Sequence, residues 1–248
     1  MPSRQVNRSD TRDVVQLPCG TTLEYILSSP ELATPSETPR EAVASKLAIC
    51  LHPWSWLGGR MEDPVLQLLS APLEEKGYHV LRYNSRGVGK STGWPSLTGS
   101  REVQDLRELI QWALDTIPTT TSVVIIGYSY GSLIASCIPV HPDVQTSHIL
   151  LSYPIGPRHW LTAFHGRSYA AALRGLVRDP RSNVLIVYGD RDDFTSSDVY
   201  DTWMNGIVAD AKGSEGHLEV TQIEGATHFW REEAPHSHLI ALLSRWIP

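Results

Sequence analysis

The segment from Val123 to Ala135 constrains the fold more than any other part of the chain. Four β-branched residues, typical of a buried strand, lead directly into Gly127-Tyr128-Ser129-Tyr130-Gly131, and a small-residue helical stretch follows. A serine flanked by glycines in this way stands on a tight strand-to-helix turn, because glycine permits the close backbone approach that the turn needs. The pattern therefore predicts that the Ser129 hydroxyl is held clear of the backbone at the N-terminus of a helix.

The rest of the chain alternates between short apolar runs and amphipathic segments. The apolar runs predict strands at Val14–Leu17, Thr22–Ser28, Lys46–Leu51, His79–Tyr83, Ser122–Ile126, His148–Tyr153, Val184–Tyr188 and Leu218–Ile223. Apolar residues at helical spacing predict helices at Pro64–Lys76, Arg101–Thr116, Tyr130–Ile138, Asp198–Lys212 and Pro235–Trp246. This alternation predicts an α/β fold, with a mostly parallel central sheet and helices on both faces. Reactive loops then gather at the carboxyl ends of the strands.

The length and composition fit one domain. The chain has 248 residues and 41% hydrophobic residues, enough for a single buried core. Residues 1–13 are polar and are expected to be disordered, which leaves 14–248 as a single α/β domain. Residues 30–44 are rich in Pro, Glu, Ser and Thr and are expected to form a surface loop. The stretch 154–182 has room for one or two short helices, so no large lid is expected.

Charge and apolar patterning exclude several kinds of partner. The net charge of −6 offers no basic surface for nucleic acid. No apolar run reaches the about 18 residues that a membrane span requires, and the first residues lack the apolar centre of a signal peptide. Three cysteines are too few for a disulfide framework, so a reducing, cytoplasmic compartment is expected. The sequence specifies no oligomeric state.

No metal or cofactor is expected. The cysteines and histidines do not have metal-ligand spacing. Gly89-Lys90-Ser91 resembles the end of a phosphate-binding loop, but that motif requires glycine five positions before Gly89, where Asn84 stands.

A nucleophilic serine needs a base, and the base needs an orienting acid. In folds with this serine turn, the chain order is Ser, then Asp or Glu, then His. Of the ten histidines, only His228 follows both a predicted strand and a glycine in the last loop before the final helix. His228 is therefore the predicted base. The strand Val184–Tyr188 runs into three candidate acids between which spacing does not choose: Asp190, Asp192 and Asp193.

Acyl transfer also needs hydrogen-bond donors for the developing oxyanion. One predicted donor is the backbone N–H of Tyr130, directly after the serine. The second is expected from the loop after Lys46–Leu51, where Trp54 is the best placed residue. The side chains of Trp56, Trp160 and Phe229 are expected to border the substrate pocket.

From about Leu47 to its C-terminus, the chain resembles the small, lidless α/β-hydrolases related to dienelactone hydrolases and serine esterases. Four blocks carry the resemblance: Leu51-His52-Pro53 through Gly58-Gly59-Arg60-Met61, the segment Leu81–Ser91 with its Arg-Gly-x-Gly-x-Ser pattern, the turn around Ser129, and the pair Gly189–Phe194 with Gly225–Phe229. The resemblance implies the α/β-hydrolase fold. It also favours Asp192, followed by Asp193 and then Asp190, because family members usually have Gly-(Glu/Asp)-x-Asp after that strand. Trp54-Ser55-Trp56 departs from the smaller residues or the histidine-proline sequence that relatives often carry there.

These observations predict a cofactor-independent serine hydrolase that cleaves a small-molecule ester, thioester or lactone through an acyl-enzyme. Two alternatives stay open. The same three residues can perform lactone formation, C–C bond cleavage or acyl transfer in a biosynthetic pathway when the pocket excludes water. The chain can also be a non-catalytic binding protein on a hydrolase fold, although the complete set of serine, histidine and aspartate argues against this.

Overall fold

The computed structural model describes residues 8–30 and 44–248. The strands are β1 (Arg8–Gln16), β2 (Thr22–Pro30), β3 (Ser45–Leu51), β4 (Tyr78–Tyr83), β5 (Thr120–Tyr128), β6 (Gln145–Leu151), β7 (Asn183–Arg191) and β8 (His217–Thr227). The helices are α1 (Pro64–Glu75), α2 (Ser100–Thr116), α3 (Tyr130–Ala135), α4 (Arg158–Leu161), α5 (Gly166–Arg178), α6 (Ser197–Ala211) and α7 (Glu233–Trp246), with a 3₁₀ turn at Ser55–Leu57.

The strands form one sheet in the order β1-β2-β4-β3-β5-β6-β7-β8. β2 pairs antiparallel with β1 and with β4, and every other pairing is parallel. Helices α1 and α7 pack against one face, and α2, α3, α5 and α6 pack against the other. The predicted α/β fold with a mostly parallel, doubly covered sheet is therefore confirmed.

Strand β3 shows why the central strands are apolar throughout. Leu47, Ile49 and Leu51 contribute to the core on one face, whereas Ala48 and Cys50 contribute to the core on the other. Alternate side chains of a strand point to opposite faces, so a strand covered on both sides needs apolar residues at every position.

The predicted strands and helices are present, with ends that shift by a few residues. Helix α3 ends at Ala135 instead of Ile138. The segment 154–182 contains the two short helices α4 and α5, in keeping with the space available there. The predicted surface loop at 30–44 falls almost wholly on residues 31–43, which lie outside the described residues.

The prediction that residues 1–13 are disordered is wrong for residues 8–13, because β1 begins at Arg8. Residues 1–7 lie outside the described residues. β1 pairs with β2 along its whole length, and the Arg12 guanidinium donates to Glu24 Oε1 at 2.9 and 2.7 Å. Backbone hydrogen bonds to β2 hold this edge strand in place. Because residues 8–13 are polar, their sequence has no alternation of apolar and polar residues that would predict a strand.

A buried carboxylate fixes the glycine-rich segment after β4. Glu24 is 1% exposed, and it accepts hydrogen bonds from Lys90 N–H and from the Asn84 side-chain amide, both at 2.9 Å. Burial alone would raise the pKa of Glu24, but the hydrogen bonds from Lys90, Arg12 and Asn84 outweigh it and lower the pKa to about 2. Gly89 has φ 56°, and a Cβ there would lie 2.3 Å from Glu24 Oε2. This segment therefore packs around an internal anion.

Candidate active site

The turn between β5 and α3 places Ser129 in a strained backbone conformation. Ser129 has φ 53° and ψ −118°, a region that residues with side chains rarely adopt. A Cβ on Gly127 would lie 2.3 Å from the carbonyl oxygen of Gly131, and a Cβ on Gly131 would lie 2.5 Å from that of Leu51. Both positions therefore require glycine, as the sequence pattern predicted.

A continuous hydrogen-bonded chain links the predicted serine, histidine and aspartate. His228 Nε2 lies 2.8 Å from Ser129 Oγ, and His228 Nδ1 lies 2.7 Å from Asp192 Oδ2. All three residues are buried, with at most 9% of each exposed. An ionised carboxylate only accepts hydrogen bonds, so Nδ1 carries the imidazole proton and Nε2 is free to accept the serine proton.

The three candidate acids have different partners. Asp192 contacts the His228 ring, and its other oxygen accepts from the N–H groups of Phe194 and Thr195 at 2.9 and 3.0 Å. Asp193 accepts from the backbone N–H of His228 at 3.2 Å. Asp190 accepts from Gly225 N–H at 2.6 Å, which ties the two loops together. Asp192 is thus the aspartate that the fold brings to the imidazole.

The His228 ring is also held by its neighbours. The Tyr128 hydroxyl donates to the carbonyl oxygen of His228 at 2.8 Å. The ring of Phe194 meets the imidazole edge-on, with 4.6 Å between ring centroids. These contacts restrict the imidazole to an orientation that faces Ser129.

The loop after β3 is fixed by a histidine whose role the sequence analysis missed. His52 Nε2 accepts from Ser85 N–H at 3.0 Å, so Nδ1 carries the proton and donates to the carbonyl oxygen of Pro53 at 2.6 Å. Burial lowers the pKa of His52 to about 4, which keeps the ring neutral near pH 7. Gly59 packs onto the same carbonyl, since a Cβ there would lie 2.1 Å from Pro53 O. In the sequence, the feature that could have indicated this role is the position of His52 directly between a buried strand and a proline.

One predicted oxyanion donor, Tyr130, follows Ser129 directly, and the other, Trp54, belongs to the loop after β3. Tyr130 is the first residue of α3, where the amide N–H has no partner within the helix. Trp54 precedes the 3₁₀ turn and lines the same cavity as Ser129. The role of these two amides stays a prediction.

An apolar cavity of about 240 Å³ opens beside Ser129 and His228. Trp54, Trp160 and Phe229, three of the residues singled out from the sequence, line it, and Trp160 meets Trp54 edge-on with ring centroids 5.1 Å apart. Phe194 also lines the cavity, although the sequence analysis did not assign it to the pocket. The position of Phe194 two residues after Asp192 was the available signal.

Trp56 was expected to border this cavity, and the structure places it elsewhere. It is not among the residues that line the cavity; it is 68% exposed and stacks against Trp54 with 6.1 Å between ring centroids. The tight 3₁₀ turn at Ser55–Leu57 causes the difference, because it directs Trp56 outward and brings Leu57 to the cavity instead.

Two charged residues that the sequence did not point to, Asp63 and Arg231, also line the cavity. Asp63 accepts from Val65 N–H at 2.9 Å and so caps α1, and burial raises its pKa. Arg231 lies over the Phe229 ring, 5.0 Å from its centroid. The cavity therefore combines aromatic walls with the Arg231 guanidinium and with a carboxylate whose Oδ1 caps α1.

Within the described part of the chain, no group of three or more His, Cys, Asp or Glu residues could hold a metal ion. None of the helices described is both long and apolar enough to cross a membrane.

Comparison with known proteins identifies the fold and the family. The sequence model of the X-Pro dipeptidyl-peptidase (S15) family matches residues 31–159, slightly more than half of the chain. This region contains Ser129 and ends before Asp192 and His228. An uncharacterised protein of Rickettsia prowazekii (strain Madrid E) is 27% identical over 208 residues, which cover 81% of each chain.

Solved structures share the architecture along nearly the whole chain. A serine hydrolase without a lid from Xanthomonas campestris has a TM-score of 0.70 and 23% identity, covering 96% of this chain and 94% of that one. A protein of Butyrivibrio proteoclasticus, solved with ferulic acid bound, has a TM-score of 0.67 and 19% identity, covering 95% and 97%. At these identities the likeness shows the fold, and the predicted resemblance to lidless α/β-hydrolases is confirmed.

The close contact at Gly131 is testable by two matched substitutions. Gly131→Ala should lower the free energy of unfolding, because the new methyl group would meet the carbonyl oxygen of Leu51 at 2.5 Å. In Gly175→Ala, on α5, the methyl group meets no atom within 4 Å, so this variant should gain the about 0.5–1 kcal/mol typical of Gly→Ala in a helix. Urea unfolding of both variants checks this. Stabilisation of Gly131→Ala equal to that of Gly175→Ala would contradict the packing described.

Proposed function

The chain belongs to the X-Pro dipeptidyl-peptidase (S15) family, and from this premise we propose that it is a serine hydrolase that cleaves small-molecule esters or thioesters through Ser129, His228 and Asp192. Family and fold support a hydrolase. The observation that carries the proposal is the unbroken chain of hydrogen bonds from Ser129 Oγ through His228 to Asp192.

In the first half-reaction, Ser129 Oγ attacks the acyl carbon of the substrate and His228 Nε2 takes the hydroxyl proton. The imidazolium that forms is stabilised by Asp192, whose second oxygen is already held by backbone N–H groups. His228 then gives the proton to the departing alkoxide or thiolate, which leaves an acyl group on Ser129.

The negative charge of the tetrahedral intermediate requires fixed donors. The N–H groups of Tyr130 and Trp54 fill this role in the proposal. His52 and Gly59 position the second donor, since both contact the Pro53 carbonyl directly before Trp54.

In the second half-reaction, water attacks the acyl carbon while His228 accepts its proton. The Ser129–acyl bond breaks, the carboxylic acid leaves, and His228 returns the proton to Ser129 Oγ. The cycle consumes one water per substrate and needs no cofactor.

The residues that line the cavity favour ester substrates over dipeptides. Recognition of a peptide N-terminus calls for an anionic acceptor for its ammonium group. Asp63, the carboxylate that lines the cavity, caps α1 through Oδ1, and burial raises its pKa, which disfavours its charged form. Arg231 has the same charge as that ammonium group. The rings of Trp54, Trp160 and Phe194 instead favour a small aromatic or apolar acyl group. The Butyrivibrio proteoclasticus protein, which shares the fold, binds an aromatic acid of this kind.

Labelling with a fluorophosphonate tests the activated serine. The wild-type protein should gain the mass of one adduct, because the Ser129 hydroxyl already donates toward His228 Nε2. Ser129→Ala should gain none, whereas Ser55→Ala, which removes a hydroxyl from the neighbouring loop, should label normally. Intact-protein mass spectrometry measures the adduct. An unlabelled but folded wild-type protein would favour a non-catalytic binding protein on a hydrolase fold.

Substitution of each aspartate separates the acid from its neighbours. Asp192→Asn should lower kcat for p-nitrophenyl acetate by about 10³- to 10⁴-fold, because an asparagine holds the imidazole in the wrong tautomer. Asp193→Asn should keep most of the activity, since Asp193 accepts only from the His228 backbone. Normal turnover by Asp192→Asn together with loss in Asp193→Asn would reverse the assignment.

Paired substrates test the substrate class. We expect hydrolysis of methyl ferulate and of a benzoyl thioester, and much slower release of p-nitroaniline from Gly-Pro-p-nitroanilide, because Arg231 repels the ammonium group and burial disfavours the charged form of Asp63. Reaction products are followed by absorbance and by chromatography, which also detects lactones or acyl transfer. Faster cleavage of Gly-Pro-p-nitroanilide than of either acyl substrate would assign the chain to peptide chemistry.

A further inference from the structure

A second cavity, of about 280 Å³, lies between α5 and α6 and beside α4. Arg158 of α4 lines it, as do Arg167 and Arg174, which lie two turns apart on one face of α5. Trp203 and Ile207 of α6 form the facing wall. These residues belong to three different elements, so their convergence depends on the tertiary fold.

Of the three arginines, Arg167 and Arg174 are exposed, whereas Arg158 is half-buried. Among the described residues, no carboxylate lies within ion-pair distance of Arg158, Arg167 or Arg174. Asp210 also lines the cavity, but it is paired with Arg178. The Nε and Nη1 atoms of Arg158 are buried, and the Arg158 guanidinium interacts with the buried Tyr153 hydroxyl. Within the same described ranges, none of these three atoms makes a hydrogen bond of normal geometry. The guanidinium groups of Arg167 and Arg174 are exposed and, in the described part of the chain, without an ion pair, so they are available to an anion that enters the cavity beside Arg158.

The wall opposite the arginines is aromatic and leaves space. Trp203 is half-buried, and its ring stacks on Tyr153 with 5.0 Å between centroids and 19° between planes. Gly206 of α6 also lines the cavity, and a Cβ built there would meet no atom within 4 Å. The cavity therefore has a cationic side and an apolar side, with open volume between them.

We propose that this cavity binds a phosphate-bearing small molecule with an aromatic or apolar group attached. Guanidinium groups bind phosphate oxygens in a bidentate manner, and three of them match the charge of a phosphate monoester better than that of a single carboxylate. The attached group packs against Trp203 and Ile207. This site is separate from the one at Ser129, because Trp160 and Leu161 of α4 line the first cavity whereas Arg158 lines the second. The proposal does not depend on the proposed hydrolase activity.

Calorimetric titration of the full chain with phenyl phosphate at fixed ionic strength tests the proposal. We expect saturable binding of one molecule, equal in wild type and Ser129→Ala. Arg158→Gln and Arg174→Gln should each weaken binding by about tenfold or more, because each loses charge-assisted hydrogen bonds. Arg245→Gln, which removes an exposed arginine paired with Glu219, should bind normally. The proposal is overturned if wild type shows no saturable binding, or if all three arginine variants bind alike.

A second pair of variants tests the cavity itself without altering charge. Gly206→Phe should abolish phenyl phosphate binding by filling the volume, whereas Gly206→Ala should retain it, with circular dichroism confirming that both remain folded. Phenol and inorganic phosphate should each bind at least about tenfold more weakly than phenyl phosphate, because each lacks one half of the recognised group. Equal binding of inorganic phosphate and phenyl phosphate would show that the apolar group adds nothing to the affinity, and would overturn that part of the proposal. Unchanged binding in Gly206→Phe would show that phenyl phosphate binds outside this cavity, and would overturn the proposed site.

Discussion

The contact between Gly131 and the end of β3 supports the whole site. The first turn of α3 lies so close to Leu51 that even a methyl group on Gly131 would overlap its carbonyl oxygen. This packing forces the chain through a positive φ at Ser129 and brings the loop after β3 alongside the serine. A strained residue persists only where its surroundings are rigid, so this close packing helps to hold the Ser129 hydroxyl in place.

Hydrogen bonds between neighbouring loops fix the distances at the site. Tyr128 holds the carbonyl of His228, Asp190 ties its loop to Gly225, and His52 holds the carbonyl that precedes Trp54. Each of these bonds joins loops at the carboxyl edge of the sheet, where neighbouring strands end together. A hydrolytic site needs its reacting groups within a few tenths of an ångström of the right geometry, and these buried bonds supply that rigidity.

Helix α4 separates two cavities of opposite character. Trp160 faces the aromatic cavity beside Ser129, and Arg158, two residues earlier, faces the cavity with the uncompensated arginines. Residues two positions apart in a helix point in different directions, so one short turn can serve both. The segment 154–182 contains only α4 and α5, which is too little chain for a large lid over the cavity beside Ser129.

The sequence by itself determined the features that depend on neighbouring residues. β-branched runs predicted the central strands, and the glycines around Ser129 predicted the serine turn, because steric limits on the backbone act over a few residues. Tertiary structure decided the rest. The contact of the His228 ring with Asp192, which only the family resemblance had favoured, the outward position of Trp56, the pairing of the edge strand β1 and the convergence of the arginines all depend on the folded chain. Such contacts follow from packing in three dimensions, which hydrophobic periodicity along the chain does not specify.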